Sequence, residues 1–315
     1  MCTAVSYKNQ HHYFGRNLDV EGSYGEGVVI TPRNYPLSFR HEGTVENHFA
    51  MIGMAKVVEG FPLYFDGTNE KGLSIAGLNF PGNAKYYPYE EKNKNIASFE
   101  VIPYILCSCG TVEEVHNLLS EVRITNDSFC PELPPAPLHW LIADKNCSIV
   151  LESTIDGTKV YEDPYGVLTN NPPFPFHREN IHAYIGLHEG LEKNNLSTEL
   201  PLKNISLGFG AMGLPGDFSS ISRFVKAVFV KEKIQSNGTE QENIHHFFHI
   251  LSSVAMPKGC VLMEHGAYEY TRYSSCCNTH TGVYYYNTYY DLSVRRVSLH
   301  EADLEDRKLF EYSID

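Results

Sequence analysis

The chain opens with Met1-Cys2-Thr3-Ala4-Val5-Ser6-Tyr7, a short run whose β-branched and aromatic residues predict a strand. Removal of Met1 would leave Cys2 carrying both a thiol and a free α-amine. The thiolate is the attacking form of cysteine, and an α-amine titrates near ~7.7–8.0, so it can take the thiol proton and return it to a leaving amine. The alternative is a small buried cysteine at the start of a strand.

Composition limits the classes of protein to which the chain can belong. Its 315 residues are 42% apolar and 12% aromatic, and no flexible linker divides them, so we expect one catalytic domain over residues 1–315. A net charge of −13 disfavours nucleic acid and anionic membrane surfaces as partners. The sequence shows neither a secretion signal nor an apolar run of membrane-spanning length, which predicts a cytoplasmic protein without membrane insertion.

Strands dominate the predicted secondary structure. The predicted strands are 2–7, 26–31, 48–58, 72–79, 138–144, 147–153, 158–163, 262–273, 282–289 and 293–299. Turns at Asp144-Lys145-Asn146 and Asp156-Gly157 join three of them into an antiparallel meander. The Pro-rich segment 124–137 predicts a stiff loop.

Three amphipathic helices are predicted between the early and the late strands. Capping boxes begin two of them, Thr111 to Glu114 and Thr239 to Glu242, and an apolar stripe over 221–229 marks a third that begins near Ser219. An apolar helix face needs a sheet to cover it. The pattern therefore predicts an α+β protein, a four-layer αββα sandwich with two packed antiparallel sheets.

Motifs spread in order along the chain resemble the choloylglycine hydrolase family. They are Met1-Cys2-Thr3, Phe14-Gly15-Arg16-Asn17-Leu18-Asp19, Asn69-Glu70-Lys71-Gly72-Leu73, Ala76-Gly77-Leu78-Asn79-Phe80, Leu168-Thr169-Asn170-Asn171-Pro172, Gly213-Leu214-Pro215-Gly216-Asp217-Phe218, Ser222-Arg223-Phe224, Tyr273-Ser274-Ser275-Cys276-Cys277 and Gly282-Val283-Tyr284-Tyr285-Tyr286. This family contains bile salt hydrolases and penicillin V acylases. The resemblance implies the N-terminal nucleophile hydrolase fold, which agrees with the predicted layers.

The resemblance also implies a catalytic set: Cys2, Arg16, Asp19, Asn79, Asn170 and Arg223. In this set Asp19 holds the Cys2 α-amine by a charge-assisted hydrogen bond, and Arg16, expected on a short turn, lowers the pKa of the thiol. Taken alone, Arg16 and Asp19 could equally be an ordinary salt bridge.

The two asparagines and the second arginine complete that set. Asn79 and Asn170 are neutral donors suited to an oxyanion hole, and Arg223 adds positive charge from the predicted third helix. Turn asparagines and a solvated helix arginine are the ordinary alternatives. Every catalytic position holds the residue type that the family requires.

The implied reaction is hydrolysis of the amide bond of glycine- or taurine-conjugated bile salts through a Cys2 thioester. Asn79 favours bile salts, because penicillin V acylases often carry tyrosine there. By resemblance the sterol pocket is lined by four apolar residues, which the core could equally use: Leu18, Phe65, Phe129 and Leu133. Two other functions stay open, an acylase for penicillin V or another N-acyl substrate such as an acyl-homoserine lactone, and a non-catalytic sterol-binding protein.

The sequence predicts neither a metal nor an organic cofactor. Its eight cysteines lack the spacing of a zinc site and are expected as free thiols, and His245-His246-x-x-His249 lacks the glutamate of a zinc-protease helix. The resemblance further implies a homotetramer from a gut bacterium.

Overall fold

The computed structural model describes residues 1–314, with 19 strands and five α-helices. The strands are β1 (Cys2–Lys8), β2 (His12–Val20), β3 (Gly27–Thr31), β4 (Leu37–Phe39), β5 (Gly43–Val45), β6 (Met51–Val58), β7 (Phe61–Asn69), β8 (Ser74–Asn79), β9 (Lys94–Ala97), β10 (Val122–Thr125), β11 (Leu138–Ala143), β12 (Ser148–Thr154), β13 (Gly157–Glu162), β14 (Val167–Leu168), β15 (Val261–Leu262), β16 (Tyr268–Asn278), β17 (Val283–Thr288), β18 (Arg295–Ser298) and β19 (Phe310–Ser313). The helices are α1 (Val101–Ser108), α2 (Val112–Leu119), α3 (Phe174–Asn180), α4 (Ser220–Lys233) and α5 (Glu240–Ser252).

Two large antiparallel sheets form the centre of the molecule. The first sheet has the strand order β14-β1-β2-β16-β17-β18, with β15 paired to β16. The second sheet has the order β13-β12-β11-β8-β7-β6-β3-β19. The predicted meander is confirmed, since β11, β12 and β13 are consecutive antiparallel neighbours.

Helices cover the outer faces of both sheets. Phe224 of α4 and Phe247 of α5 are fully buried in the cluster that includes the first sheet. Ile102 of α1 and Val115 of α2 are buried with Trp140 of the second sheet. The order helix, sheet, sheet, helix confirms the four-layer αββα prediction.

The three predicted helices are confirmed at their N-termini. The side chains of Thr111, Ser219 and Thr239 each accept a hydrogen bond from the backbone N–H three residues later. The reciprocal half of each capping box was wrong, because Glu114 accepts from the Gly110 N–H and Glu242 from the Asn237 N–H. The helices α1 and α3 were not predicted.

The strand predictions failed at two places next to the site. Segment 262–273 is interrupted, since β15 ends at Leu262 and β16 begins at Tyr268. The turn predicted for Arg16 was also wrong, because Arg16 and Asp19 both lie inside β2. In the proline-rich segment, β10 extends to Thr125, and residues 126–137 form the predicted loop.

No helix among the described residues is long and apolar enough to cross a bilayer.

Candidate active site

Cys2 lies where the first sheet meets a cavity of about 430 Å³. It begins β1, pairs with Leu18 of β2, and is 3% exposed. Its backbone N–H donates to Asn170 Oδ1 at 2.7 Å. In a chain that begins at Cys2 this nitrogen is the α-amine, so the contact marks where the base would lie.

Arg16 supplies a fully buried positive charge on β2. Its Nη1 donates to the carbonyl oxygen of Phe65 at 3.0 Å and to that of Gly77, while Nη2 has no hydrogen-bond partner among the described residues. Burial lowers the pKa of Arg16, but the negative potential of Cys2 and other nearby acidic groups outweighs it and raises the pKa. The guanidinium of Arg16 therefore stays charged beside Cys2.

Asp19 has one carboxylate oxygen engaged and one unsatisfied. Its Oδ1 accepts from Thr271 Oγ1 at 2.6 Å. Its Oδ2 is buried without a hydrogen-bond partner among residues 1–314 and lies 4.0 Å from Arg223 Nη1. A buried carboxylate oxygen in this state is a ready acceptor for an ammonium group.

Arg223 joins α4 to the start of β1. Its Nη1 donates to the Cys2 carbonyl and, at 2.7 Å, to Thr3 Oγ1, and its Nη2 donates to Asn170 Oδ1 at 2.7 Å. Burial lowers the pKa of this guanidinium, and the nearby Asp19 opposes the shift. Arg223 therefore holds the nucleophile and Asn170 together, and it is not a solvated helix residue.

The orientation of the Asn170 amide follows from its partners. A guanidinium and a backbone N–H can only donate, so the atom that faces Arg223 and Cys2 must be the oxygen. The Nδ2 group donates one hydrogen to the Asn79 carbonyl at 2.7 Å. One Nδ2 hydrogen thus remains for a substrate, while Oδ1 positions the Cys2 nitrogen.

A buried histidine–glutamate pair supports the loop that carries Asn170. His139 and Glu152 are almost fully buried and 3.1 Å apart, and His139 Nε2 contacts the Thr169 carbonyl at 2.8 Å. Glu152 also accepts from the Phe174 N–H at 2.9 Å. Because the Thr169 oxygen can only accept, His139 Nε2 is the donor in that contact. Sequence reasoning did not find this pair.

Asn79 ends β8 at the mouth of the same cavity. Its side chain is exposed and makes no hydrogen bond with the described residues, which leaves its amide available to a ligand. The structure thus brings all six sequence-predicted catalytic residues to one place. Their catalytic roles stay predictions.

The four predicted pocket residues, Leu18, Phe65, Phe129 and Leu133, all line this cavity. Sequence reasoning missed two further aromatic residues that line the cavity, Tyr24 and Phe99. Tyr24 stacks on Phe65 with ring centroids 5.7 Å apart, and Phe99 meets Phe129 edge-on at 5.2 Å. Tyr24 lies on the loop before the predicted strand 26–31, which was an available signal, whereas Phe99 flanks no predicted strand.

Charged groups also reach the cavity. Lys56 lies on β6, Glu21 follows β2, and Glu269 lies near the start of β16. Among residues 1–314, no group of three His, Cys, Asp or Glu side chains is placed to hold a metal ion.

The fold and the buried N-terminal cysteine define a class, the amidases that use such a residue as the nucleophile. The family model of linear amide C–N hydrolases, choloylglycine hydrolase family, matches residues 2–312. The chain therefore belongs to the choloylglycine hydrolase family.

The similarity to known proteins covers nearly the whole chain. A bile salt hydrolase/transferase of Lactiplantibacillus plantarum is 47% identical over 100% of this chain and 97% of its own length. The mutant C2A conjugated bile acid hydrolase from Clostridium perfringens superposes with a TM-score of 0.93 at 32% identity, covering 100% of this chain and 97% of that one. A penicillin V acylase from Agrobacterium tumefaciens shares the fold, with a TM-score of 0.78 at 20% identity, covering 98% and 90% of the two chains.

Proposed function

We propose that this protein hydrolyses the amide bond of glycine- or taurine-conjugated bile salts, and that residues 1–315 form one catalytic domain. The observation that carries the proposal is the meeting of the buried Cys2 with an apolar cavity of about 430 Å³. A flat sterol needs an apolar concave site, and cavities that bind small molecules occupy roughly 300–1,000 Å³. The names of the bile salt hydrolases among its relatives support the same substrate.

Catalysis requires that the active chain begin at Cys2. Its α-amine would then lie against Asn170 Oδ1, with the unsatisfied Asp19 Oδ2 as the acceptor nearby. The amine takes the thiol proton, the thiolate attacks the amide carbon, and the same amine returns the proton to the departing nitrogen. Water then attacks the thioester carbon while the Cys2 amine takes its proton, and the amine returns that proton to the departing Cys2 sulfur.

The oxyanion that forms on the carbonyl needs donors placed in advance. The second Nδ2 hydrogen of Asn170 and the free amide of Asn79 are the two neutral donors at the cavity, and one good donor lowers such a barrier by roughly 3–4 kcal/mol. Arg16 adds a fixed positive charge that favours the thiolate. We propose these roles for the full set Cys2, Arg16, Asp19, Asn79, Asn170 and Arg223.

The test compares three substrates with the purified protein. Mass spectrometry would measure the release of glycine or taurine from conjugated bile salts and of phenoxyacetate from penicillin V. We expect release of the amino acid, and its loss in Cys2→Ala. Faster release of phenoxyacetate would assign the protein to the acylases, and sterol binding without any product would make it a non-catalytic binding protein.

We also infer that the protein is a homotetramer in the bacterial cytoplasm. The segment between α3 and α4 carries large apolar side chains that are exposed to water in a monomer: Ile185, Leu196, Ile205, Leu207 and Met212. A second copy of the chain is the partner that would cover them. Light scattering would measure the molecular mass of the Ile205→Ser and Leu207→Ser variants. An unchanged mass would contradict a role for this segment in assembly.

A further inference from the structure

Asn170 lies on a short connection between two regular elements. Strand β14 ends at Leu168, and α3 begins at Phe174. The Asn170 side chain nevertheless has to direct its second Nδ2 hydrogen at a single atom of the substrate. The main chain of this connection must therefore be held by side chains from other parts of the fold.

Two side chains hold the peptide group that precedes Asn170. His139 Nε2 donates to the Thr169 carbonyl at 2.8 Å. On the nitrogen side, Ser220 Oγ accepts from the Asn170 N–H at 2.8 Å. Ser220 donates in turn to the Thr169 hydroxyl at 2.9 Å, which donates to the Ser220 carbonyl at 3.0 Å. The planar peptide group is thus fixed at both its oxygen and its nitrogen.

His177 holds the peptide group that follows Asn170. Its Nε2 lies 3.1 Å from the Asn170 carbonyl, which can only accept, so the ring donates. The side chain is fully buried and stacks on Phe224 with ring centroids 4.8 Å apart. Burial lowers the pKa of His177 to about 4, so near neutral pH the ring keeps a single proton, on Nε2.

Glu152 connects the two histidines. Its Oε1 lies 3.1 Å from His139 Nδ1 and accepts from the Phe174 N–H at 2.9 Å. Phe174 is the first residue of α3, the helix that carries His177. One buried carboxylate of the second sheet therefore locates both donors relative to each other.

We propose that three side chains, His139, Ser220 and His177, are positioning residues for amide hydrolysis. They fix the two peptide groups that flank Asn170 and thereby direct its second Nδ2 hydrogen at the oxyanion. None of the three lines the cavity, so each acts through Asn170. The proposal rests on the proposed function, since it takes Asn170 as an oxyanion donor.

The first experiment removes the donor that follows Asn170. His177→Phe keeps a ring against Phe224 and should lower kcat about tenfold with little change in KM, because a small displacement of a donor weakens mainly the transition state. His177→Gln restores an N–H donor and should recover most of kcat. An unchanged kcat in His177→Phe would overturn the proposal.

His48→Phe is the matched control for His177→Phe. His48 is also a buried histidine whose Nε2 meets a main-chain carbonyl, that of Tyr35 at 2.8 Å, and it does not line the cavity. Its replacement should lower the melting temperature and keep kcat. An equal loss of kcat in both variants would reduce His177 to a structural residue.

The second experiment measures additivity. In an Asn170→Ala background, His177→Phe should lower kcat no further, because the group that it positions is gone. Ser220→Ala is a smaller change, which removes the acceptor of the Asn170 N–H, and it gives the same comparison if His177→Phe does not fold. Losses that add in full would show a purely structural role and overturn the proposal.

The third measurement needs no turnover. Crystal structures of His177→Phe and Ser220→Ala should show Asn170 displaced and its 2.7 Å contact with the Cys2 nitrogen lengthened, whereas His48→Phe should keep that contact. An unmoved Asn170 would overturn the proposal, whatever the kinetics. Absence of bile salt hydrolysis in the wild type would instead overturn the proposed function, and the crystal structures would still decide whether these residues position Asn170.

Discussion

Replacing Asn170 by alanine separates a catalytic from a structural asparagine. The side chain makes three hydrogen bonds of 2.7 Å, to the Cys2 N–H, to the Arg223 guanidinium and to the Asn79 carbonyl. Loss of a neutral bond costs about 0.5–1.5 kcal/mol and loss of one to a charged group about 1.5–3 kcal/mol, so Asn170→Ala should lower the melting temperature. A stability effect alone, however, leaves the folded molecules active.

The kinetic effect is the distinguishing one. Loss of an oxyanion donor should lower kcat by roughly 10²–10³, with a smaller change in KM, because that bond strengthens as charge builds on the carbonyl oxygen. Displacement of the Cys2 amine would lower kcat further. Steady-state kinetics well below the melting temperature, with parallel calorimetry, would measure both effects.

Asn17→Ala is the matched control for Asn170→Ala. Asn17 is a buried asparagine of β2 that donates to the Leu251 carbonyl at 2.9 Å and accepts from Ser274 at 2.7 Å, and it does not line the cavity. It should lose stability but keep the kinetics of the folded fraction. If Asn170→Ala behaved in the same way, Asn170 would leave the catalytic set and the argument from its amide orientation would fail.

Three further predictions address the nucleophile, its processing and pH. Cys2→Ala should abolish turnover and Cys2→Ser nearly so, with an unchanged circular dichroism spectrum, since a hydroxyl is far less acidic than a thiol; more than a few per cent of activity in Cys2→Ala would refute the mechanism. Protein shown by intact mass to retain Met1 should be inactive, because the Cys2 nitrogen is then a non-basic amide; full activity would contradict this. Burial raises the pKa of Asp163 to about 7, whereas its value in the unfolded chain is near 3.8. The protonated carboxyl therefore contributes its full stability below pH 3.8, and this contribution is lost as the pH rises to about 7. Melting temperatures between these pH values should fall less steeply in Asp163→Asn, and equal slopes would refute the assignment.

Local signals predicted three of the five helices and missed the central strand β2. The caps at Thr111, Ser219 and Thr239 depend on hydrogen bonds within four residues, which a sequence shows directly. Strand β2 instead buries polar residues whose partners are distant in the chain. Asp19 accepts a hydrogen bond from Thr271, and no sequence pattern within β2 predicts that contact.

The family motifs identified the site residues but did not predict how their side chains are arranged. The side to which the Asn170 amide turns is decided by Arg223, which lies 53 positions away and on another element. Arg223 also contacts the Cys2 carbonyl, 221 positions away. Such long-range pairs are fixed by topology, which composition and periodicity do not specify.

Four charged side chains are buried in and beside the candidate active site. Arg16 and Arg223 are positive, and Asp19 and Asp66 oppose them. Burial raises the pKa of Asp66, although Arg16 and hydrogen bonds from Tyr284 and Tyr273 work against the shift. Burial therefore disfavours the ionised form of the Asp66 carboxyl, one of the two acids that oppose the guanidinium groups of Arg16 and Arg223. The buried polar residues that kept β2 from being predicted include those for which we propose catalytic roles, as expected where local rules of folding yield to function.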